Sequence, residues 1–295
     1  MAYPAFLEPT SVLGAVRLLA QYGSEARLLA GGAITVPLIQ QRVVWPAVLI
    51  SLGRIEELRR VFVDAAGALH IGAMASLTHI AAHPAVAGLR PRHGWSMLAE
   101  ACASVGNVRV RNQATLGGNL GEADYASDPP AALLAADAHV RILSARGERQ
   151  AWLPELLAGF GRTTLAPDEL IVEIVVPALA GEAGSTYLKF KTRSNVGRPC
   201  VGVAAALSLR DGVCREARVA VGAACEAPQR FPILERELVG QTLTPARIAE
   251  FADACAGSLR DPIDDLRGSA WYRRQITRVN VRRAISALAG QETRT

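Results

Sequence analysis

Two short glycine segments constrain this chain more than any other feature of its sequence. The first segment reads Leu-Ala-Gly-Gly-Ala-Ile-Thr over residues 29–35, and the second reads Thr-Leu-Gly-Gly-Asn over residues 115–119. Glycine has no Cβ and tolerates positive φ, so the amides around such a pair can turn toward an anion. A glycine pair at a strand end is also ordinary turn chemistry. A cofactor that contains a pyrophosphate group would explain both segments, and we predict a dinucleotide.

The composition indicates a globular protein that binds neither nucleic acid nor a membrane. The chain has 295 residues, half of them apolar, which is enough for two or three domains with their own cores. Its net charge of +5 is spread over separate arginines. Without a basic run, neither a nucleic-acid surface nor a polybasic membrane patch is expected. No apolar stretch approaches a membrane span, and the N-terminus does not resemble a signal peptide.

Familiar catalytic and metal-binding motifs are missing from the sequence. The five cysteines form no Cys-x-x-Cys pair and the five histidines form no His-Glu-x-x-His pair, so no zinc or iron-sulfur site is expected. Unpaired cysteines are typical of reduced thiols in a cytoplasmic protein. The Rossmann glycine fingerprint, the Walker loop and the Gly-x-Ser-x-Gly elbow are also missing. A cofactor site without evident catalytic side chains indicates that the cofactor itself carries the reaction.

Hydrophobic periodicity and turn residues predict helices and strands on both sides of the first glycine segment. A helix capped by Thr10 and ended by Gly23 precedes a strand over 27–30. A short helix over 38–41 and a buried strand over 47–52 follow the segment. This order of strand, glycine turn, helix and strand is typical of a unit that holds a nucleotide.

The rest of the chain is predicted to divide into two parts joined by a small-residue linker over 178–185. Asp211-Gly212 is the strongest local hairpin signal and joins two strands of the second part. The other predicted elements are a hairpin over 61–73, helices over 95–103 and 128–137, strands over 140–144, 151–153, 170–176 and 187–193, and helices over 245–255 and 269–288.

Five motifs, in order along nearly the whole chain, resemble the FAD-binding medium subunit of molybdenum hydroxylases. This family includes the flavoprotein subunits of carbon monoxide dehydrogenase and the relatives of xanthine dehydrogenase. The motifs are Leu-Ala-Gly-Gly at 29–32, Leu-Ile-Ser-Leu-Gly-Arg-Ile at 49–55, Arg-Asn-Gln-Ala-Thr-Leu-Gly-Gly-Asn at 111–119, the acids Asp124 and Asp128, and Asp-Leu-Arg-Gly-Ser-Ala-Trp-Tyr-Arg at 265–273.

The resemblance implies an α+β fold with two domains. An FAD-binding domain of the vanillyl-alcohol oxidase (PCMH) type is expected over 1–177, with subdomains over about 1–56 and 57–177. A smaller α+β domain of the carbon monoxide dehydrogenase flavoprotein C-terminal type is expected over 185–290.

The resemblance also implies an electron-transfer function within a larger complex. FAD in this subunit would take electrons from iron-sulfur clusters of a small partner subunit, which receives them from a large molybdopterin subunit. It would then pass them to an external acceptor, and no catalytic side chain is expected here. The expected assembly is a cytoplasmic dimer of heterotrimers, in which the molybdopterin and the iron-sulfur clusters belong only to the partners.

By resemblance, the two glycine segments would hold the FAD pyrophosphate from opposite sides. The amides of residues 30–35 would bind it, residues 115–119 would cradle it, and Gly106 would let the cofactor pass close to the backbone. The implied cofactor-binding residues are Ala30, Gly31, Gly32, Ala33, Ile34, Thr35, Gly106, Thr115, Gly117, Gly118, Asn119, Asp124, Asp128, Ile171 and Lys189.

Four of these residues lie away from the glycine segments and have roles implied by the same resemblance. Asp128 would reach the ribityl or adenosine end of FAD, with Asp124 near the same edge, and Ile171 would pack on the cofactor. Lys189 would place a positive charge beside the flavin and stabilise its reduced, anionic form. The alternatives are that Asp128 only caps a helix and that Lys189 is a solvated strand residue.

Departures from the family pattern leave other functions open. Ala33 and Ile34 stand where many relatives carry a hydroxyl or carboxylate, so a subunit that has lost FAD is one alternative. A stand-alone FAD oxidase of the vanillyl-alcohol type is another, although no histidine lies in a motif for covalent flavin attachment. The four-cysteine insertion of the benzoyl-CoA reductase type is missing from the sequence.

Overall fold

The computed structural model describes residues 3–87, 94–178, 183–194 and 197–290. Helices and mostly antiparallel strands occur in separate stretches and pack together, which confirms the predicted α+β class. The predicted linker over 178–185 lies in part outside the described residues.

A small parallel sheet carries the first glycine segment at its edge. Its strand order is β1-β3-β2, and both neighbours of the central strand run parallel to it. Helix α1 is capped by the hydroxyl of Ser11, which accepts a hydrogen bond from the Gly14 amide; the predicted cap, Thr10, is one residue too early. The elements are β1 (Ala5–Leu7), α1 (Val12–Tyr22), β2 (Ala26–Leu29), α2 (Thr35–Gln40) and β3 (Val48–Ser51).

An antiparallel sheet of five strands, in the order β4-β5-β10-β6-β7, forms the centre of the first part. Alternate residues of its strands, such as Ile71, Val140 and Ile174, are fully buried against helices α3, α5, α7 and α8. The elements are β4 (Val61–Val63), β5 (Leu69–Gly72), α3 (Leu77–Ala82), α4 (Pro84–Ala87), α5 (Ser96–Ser104), α6 (Val108–Gln113), α7 (Leu116–Glu122), α8 (Pro129–Ala135), β6 (His139–Ser144), β7 (Gly147–Trp152), α9 (Leu153–Leu156), β8 (Leu157–Gly159), β9 (Arg162–Thr163) and β10 (Leu170–Val176).

The outer face of this sheet holds a histidine between two carboxylates. The Nε2 atom of His70 lies 3.1 Å from Asp64 Oδ2, and its Nδ1 atom lies 3.1 Å from Glu173 Oε2. Burial of the ring lowers the pKa of His70, but the hydrogen bonds with Glu173 and Asp64 outweigh burial and raise it above its ordinary value of 6.5. The charged imidazolium is therefore favoured in the folded state.

We expect His70→Gln to destabilise the protein more at pH 6 than at pH 8.5. A pKa that is higher in the folded state contributes stability that is fully present below the unfolded value and is lost as pH rises through the folded value. Urea unfolding of both proteins at the two pH values measures the difference. An equal loss at both pH values would mean that the imidazolium contributes nothing.

The second part is a four-stranded antiparallel sheet covered by three helices on one side. Its strand order is β11-β12-β13-β14, and the β12-β13 hairpin turns at Asp211 and Gly212, whose φ angles are 54° and 75°. This confirms the predicted hairpin. Strand β11 starts three residues earlier than predicted and ends at Phe190. The elements are β11 (Gly184–Phe190), β12 (Val201–Arg210), β13 (Val213–Gly222), β14 (Gln229–Arg230), α10 (Pro232–Leu238), α11 (Pro245–Gly257) and α12 (Ala270–Leu288).

The two parts share one hydrophobic core across their boundary. Tyr187, Ala204 and Ala220 of the second sheet belong to the same buried cluster as helices α5 and α8 of the first part. Small side chains let the helices approach the sheet closely: a Cβ added to Gly222 would lie 3.0 Å from the Cβ of Ala131. The second part therefore packs directly against helix α8 of the first part.

Candidate cofactor-binding site

The two glycine segments meet in one cleft of about 320 Å³, a volume typical of ligand sites. One wall is the first segment at the carboxyl end of β2, and another is the second segment with helix α7. Residues 165–171, which lead into β10, close the third side. The predicted residues that line this cleft are Ala30, Gly31, Gly32, Ala33, Ile34, Thr35, Thr115, Gly117, Gly118, Asn119 and Ile171.

The first segment presents a run of unpaired amides. Within the described part of the chain, the N–H groups of residues 31–35 donate no hydrogen bond to protein. The carbonyls of Gly32 and Ile34 instead accept bonds from the first turn of α2, and Gly32 has a φ of 71° that favours glycine. Consecutive free amides around such a turn form a concavity that suits an anion.

The glycines are required because the two segments pack directly on each other. A Cβ at Gly31 would lie 1.7 Å from the carbonyl oxygen of Gln113, just before the second segment. A Cβ at Gly118 would lie 3.1 Å from the Cβ of Ala30. Side chains at these positions would separate the two walls of the cleft.

Most amides of the second segment already have protein partners. The N–H groups of Leu116 and Gly117 donate to the carbonyls of Ala75 and Ala73, and those of residues 118 and 119 donate to Thr115. A Cβ at Gly117 would lie 2.5 Å from the Cβ of Ala73. The second glycine pair is therefore required for close packing, and the cradling of a cofactor by residues 115–119 stays a prediction.

Charged side chains also border the cleft. Arg27 on β2 donates to Glu122 at the end of α7, with 3.2 Å between Nη2 and Oε2. Glu169 lies on the third side, where Arg149 donates two hydrogen bonds of 2.7 and 2.6 Å to it. These bonds hold the pKa of Glu169 below its usual value. No sequence prediction named Arg27 or Glu122, since the two residues lie outside the five motifs and 95 positions apart.

Asp128 and Lys189 lie outside the cleft lining and form a buried ion pair. Lys189 Nζ lies 2.8 Å from Asp128 Oδ2 and donates to the carbonyl of Ser104, while the Tyr187 hydroxyl donates to Asp128 Oδ1 at 2.7 Å. Burial raises the pKa of Asp128, and Lys189 opposes the rise. Asp128 is thus no side-chain helix cap, and Lys189 is no solvated residue. Contact of either one with a cofactor stays a prediction.

Asp124 and Gly106 also lie outside the cleft lining. Asp124 accepts a hydrogen bond from the Ala126 amide and forms an ion pair of 2.7 Å with Arg198. Gly106 has a φ of 45°, and its carbonyl accepts a hydrogen bond from Arg111. The positive φ is a sufficient reason for glycine at position 106. The cofactor contacts of Asp124 and Gly106 remain predictions.

The motif at 265–273, which begins with Asp-Leu-Arg-Gly-Ser, connects the second part of the protein to the segment after α7. The Arg273 side chain is fully buried and donates to four backbone carbonyls and to Asp265. Asp265 also accepts a 2.6 Å hydrogen bond from the Tyr125 hydroxyl. Burial alone would raise the pKa of Asp265, yet Tyr125, the Arg267 amide and Arg273 hold it well below its usual range.

Comparison with known families covers nearly the whole chain. Residues 3–179 match the family described as the FAD binding domain in molybdopterin dehydrogenase, and residues 186–288 match the CO dehydrogenase flavoprotein C-terminal domain. The chain is 34% identical to the 6-hydroxypseudooxynicotine dehydrogenase complex subunit alpha of Paenarthrobacter nicotinovorans, over 94% of this chain and 91% of that one. It is 32% identical to the carbon monoxide dehydrogenase medium chain of Hydrogenophaga pseudoflava, over 95% and 94%.

Solved structures give the same result. The carbon monoxide dehydrogenase of Hydrogenophaga pseudoflava superposes with a TM-score of 0.91 at 31% identity, covering 98% of both chains. Quinoline 2-oxidoreductase of Pseudomonas putida 86 superposes with a TM-score of 0.89 at 28% identity, covering 98% of this chain and 99% of that one. These matches confirm the predicted fold, an FAD-binding domain followed by a smaller C-terminal domain.

Two further observations concern membrane-spanning helices and metal sites. In the described ranges, no helix is both long and apolar enough to cross a membrane. Across those same ranges, no group of three or more His, Cys, Asp or Glu residues is placed to hold a metal ion.

Proposed function

This chain belongs to the FAD-binding medium subunits of the molybdopterin dehydrogenase family, and we propose that the cleft between its two glycine segments binds FAD noncovalently. The free amides of residues 31–35 carry the proposal, because they are the donors that a diphosphate requires. When bound, FAD supplies the redox chemistry of the subunit.

The residues of the cleft fit the two chemical halves of such a cofactor. The amide wall would donate to the diphosphate, and charge-assisted hydrogen bonds of this kind are stronger than neutral ones. Apolar side chains also line the cleft, those of Leu52, Leu165, Leu170 and Ile171, and would exclude water from an aromatic ring. Ala33 and Ile34 leave the amide wall intact, because their contribution comes from the backbone.

The subunit is proposed to work only within a larger assembly. Its relatives are named as a medium chain and as a subunit of a dehydrogenase complex, which supports this view. We propose a small iron-sulfur subunit and a large molybdopterin subunit as partners, in a dimer of heterotrimers. The domain boundaries at 1–177 and 185–290 are part of the proposal. A cytoplasmic location is also proposed, and the five buried, unbridged cysteines support it.

Purified protein is expected to carry one FAD per chain. It should show the absorption spectrum of oxidised flavin and release FAD on treatment with acid or heat, since no covalent attachment is proposed. Flavin content is measured from the absorbance and fluorescence of the released cofactor. Colourless protein that takes up no added FAD would contradict the proposal.

A second measurement separates an electron-transfer subunit from a stand-alone oxidase. The isolated, FAD-loaded chain should oxidise no organic substrate, and mixing with the small and large subunits should restore substrate oxidation. Substrate oxidation by the isolated chain would instead identify an oxidase with its own substrate site.

A further inference from the structure

Arg27 and Glu122 border the cleft, and their side chains connect β2, which precedes the first glycine segment, to helix α7, which contains the second glycine pair. Arg27 lies on β2, three residues before Ala30, and Glu122 is the last residue of α7. Their side chains are 34% and 24% exposed, so both are shielded from water yet reachable from the cleft. The following inference rests on the proposed binding of FAD and concerns how its diphosphate is recognised.

The contact between these two side chains leaves most of the guanidinium unused. Only one hydrogen bond, of 3.2 Å, joins Arg27 to Glu122, and Arg27 has no other side-chain acceptor in the described ranges. A guanidinium has five N–H donors in a planar fork that matches phosphate oxygens. By contrast, Glu169 on the same cleft is held by two shorter bonds from Arg149 and by the Ala166 amide.

We propose that Arg27 is a phosphate-binding side chain of this cleft and that Glu122 is its counter-ion until the FAD diphosphate takes its place. The free amides of residues 31–35 and the free donors of Arg27 would then face the same anion from neighbouring positions on the chain. The displaced Glu122 carboxylate would lie beside a dianion, and it would take up a proton from solvent. FAD binding is therefore coupled to the uptake of up to one proton, depending on pH.

The groups around Glu122 agree with this coupling. Arg27 faces it from β2, Asp124 from the loop after α7, and Arg198 from the segment before β12. Asp124 and Arg198 neutralise each other in a 2.7 Å ion pair, which leaves Arg27 as the main partner. Burial raises the pKa of Glu122 above its usual value of 4.5, and Arg27 opposes the rise. If Arg27 instead pairs with a phosphate, the pKa of Glu122 would rise further.

The sign of the pH dependence follows from this exchange. Below the pKa that Glu122 has in the free protein, the carboxyl is already protonated and FAD binds at full strength. Above that pKa, binding also requires that Glu122 take up a proton from solvent, so the dissociation constant of FAD rises with pH by up to tenfold per unit. The rise ends at the still higher pKa that Glu122 has beside the bound diphosphate.

The test is a fluorescence titration of FAD-depleted protein with FAD and with riboflavin, at pH values from 5.5 to 8.5. Riboflavin contains the same ring and lacks the diphosphate. Three variants are compared with the wild type: Arg27→Met, Glu122→Gln and, as a control from an exposed ion pair elsewhere, Arg162→Met. Thermal unfolding of each variant checks that it is folded.

Arg27→Met should weaken FAD binding at least tenfold and leave riboflavin binding unchanged, whereas Arg162→Met should affect neither. Glu122→Gln should bind FAD more tightly than the wild type at pH 8.5 and lose the pH dependence. Wild-type affinity in Arg27→Met, or an unchanged pH dependence in Glu122→Gln, would overturn this inference alone. Wild-type protein that binds FAD at no pH would overturn the proposed function as well.

Discussion

Replacing Lys189 with methionine is expected to lower the free energy of unfolding by about 3–5 kcal/mol. The Asp128 side chain is 3% exposed and accepts hydrogen bonds from Lys189 and Tyr187. Removing the lysine leaves a buried carboxylate that, among the described residues, keeps a hydrogen bond from the Tyr187 hydroxyl, and it also leaves the Ser104 carbonyl without this donor. Urea unfolding of the variant and the wild type measures the loss.

A double variant separates the ion pair from simple packing. Asp128→Asn combined with Lys189→Met removes both charges and keeps an acceptor for Tyr187, so it should recover part of the stability. Flavin content and the flavin absorption spectrum report on the role implied by the family resemblance. A loss below about 1 kcal/mol, the value typical of an exposed pair, together with a shifted flavin spectrum would show that Lys189 contacts the cofactor instead.

Local sequence signals predicted the elements that depend on local chemistry. The hairpin at Asp211-Gly212 follows from two adjacent residues that accept positive φ. The end of α1 at Gly23 and the start of α12 after Ser269 have equally local causes, a positive φ and a hydroxyl cap. Thr10 and Ser11 are both good caps, and the sequence alone could not choose between them.

The free amides of the first glycine segment agree with its predicted role, whereas the packing role of the second could not be predicted from its sequence. Both contain a glycine pair, but two amides of the second donate to the carbonyls of Ala73 and Ala75, about forty residues earlier in the chain. No local sequence pattern predicts a contact between segments so far apart in the chain. Glycine in a sequence signals close approach, and only the fold shows whether the neighbour is a ligand or protein.

Charged residues with distant partners were the least predictable. Arg27 and Glu122 are 95 positions apart, and Asp128 and Lys189 are 61 positions apart. An alternating strand pattern assigns Lys189 to a face of β11, but the docking of α5 and α8 on that sheet decides whether the face is solvated. The burial of Arg273 likewise depends on carbonyls that its own helix does not provide.

Adding a single methyl group at Gly31 is expected to abolish FAD binding. In Gly31→Ala the new Cβ would lie 1.7 Å from the Gln113 carbonyl oxygen and 2.6 Å from its carbon. Backbone atoms cannot rotate away as a side chain does, so the first segment must move off the second, which also destabilises the fold by about 3 kcal/mol. Flavin content per chain and the unfolding midpoint measure the two effects.

Gly121 provides the matched control, because it borders the same cleft and its added Cβ would have no neighbour within 4 Å. It lies in helix α7, where alanine is favoured over glycine by up to about 1 kcal/mol. Gly121→Ala should therefore keep its FAD and be as stable as the wild type or slightly more so. The same methyl group would then have opposite effects at two positions of one cleft. Full flavin content in Gly31→Ala would show that FAD does not depend on the contact between the two segments.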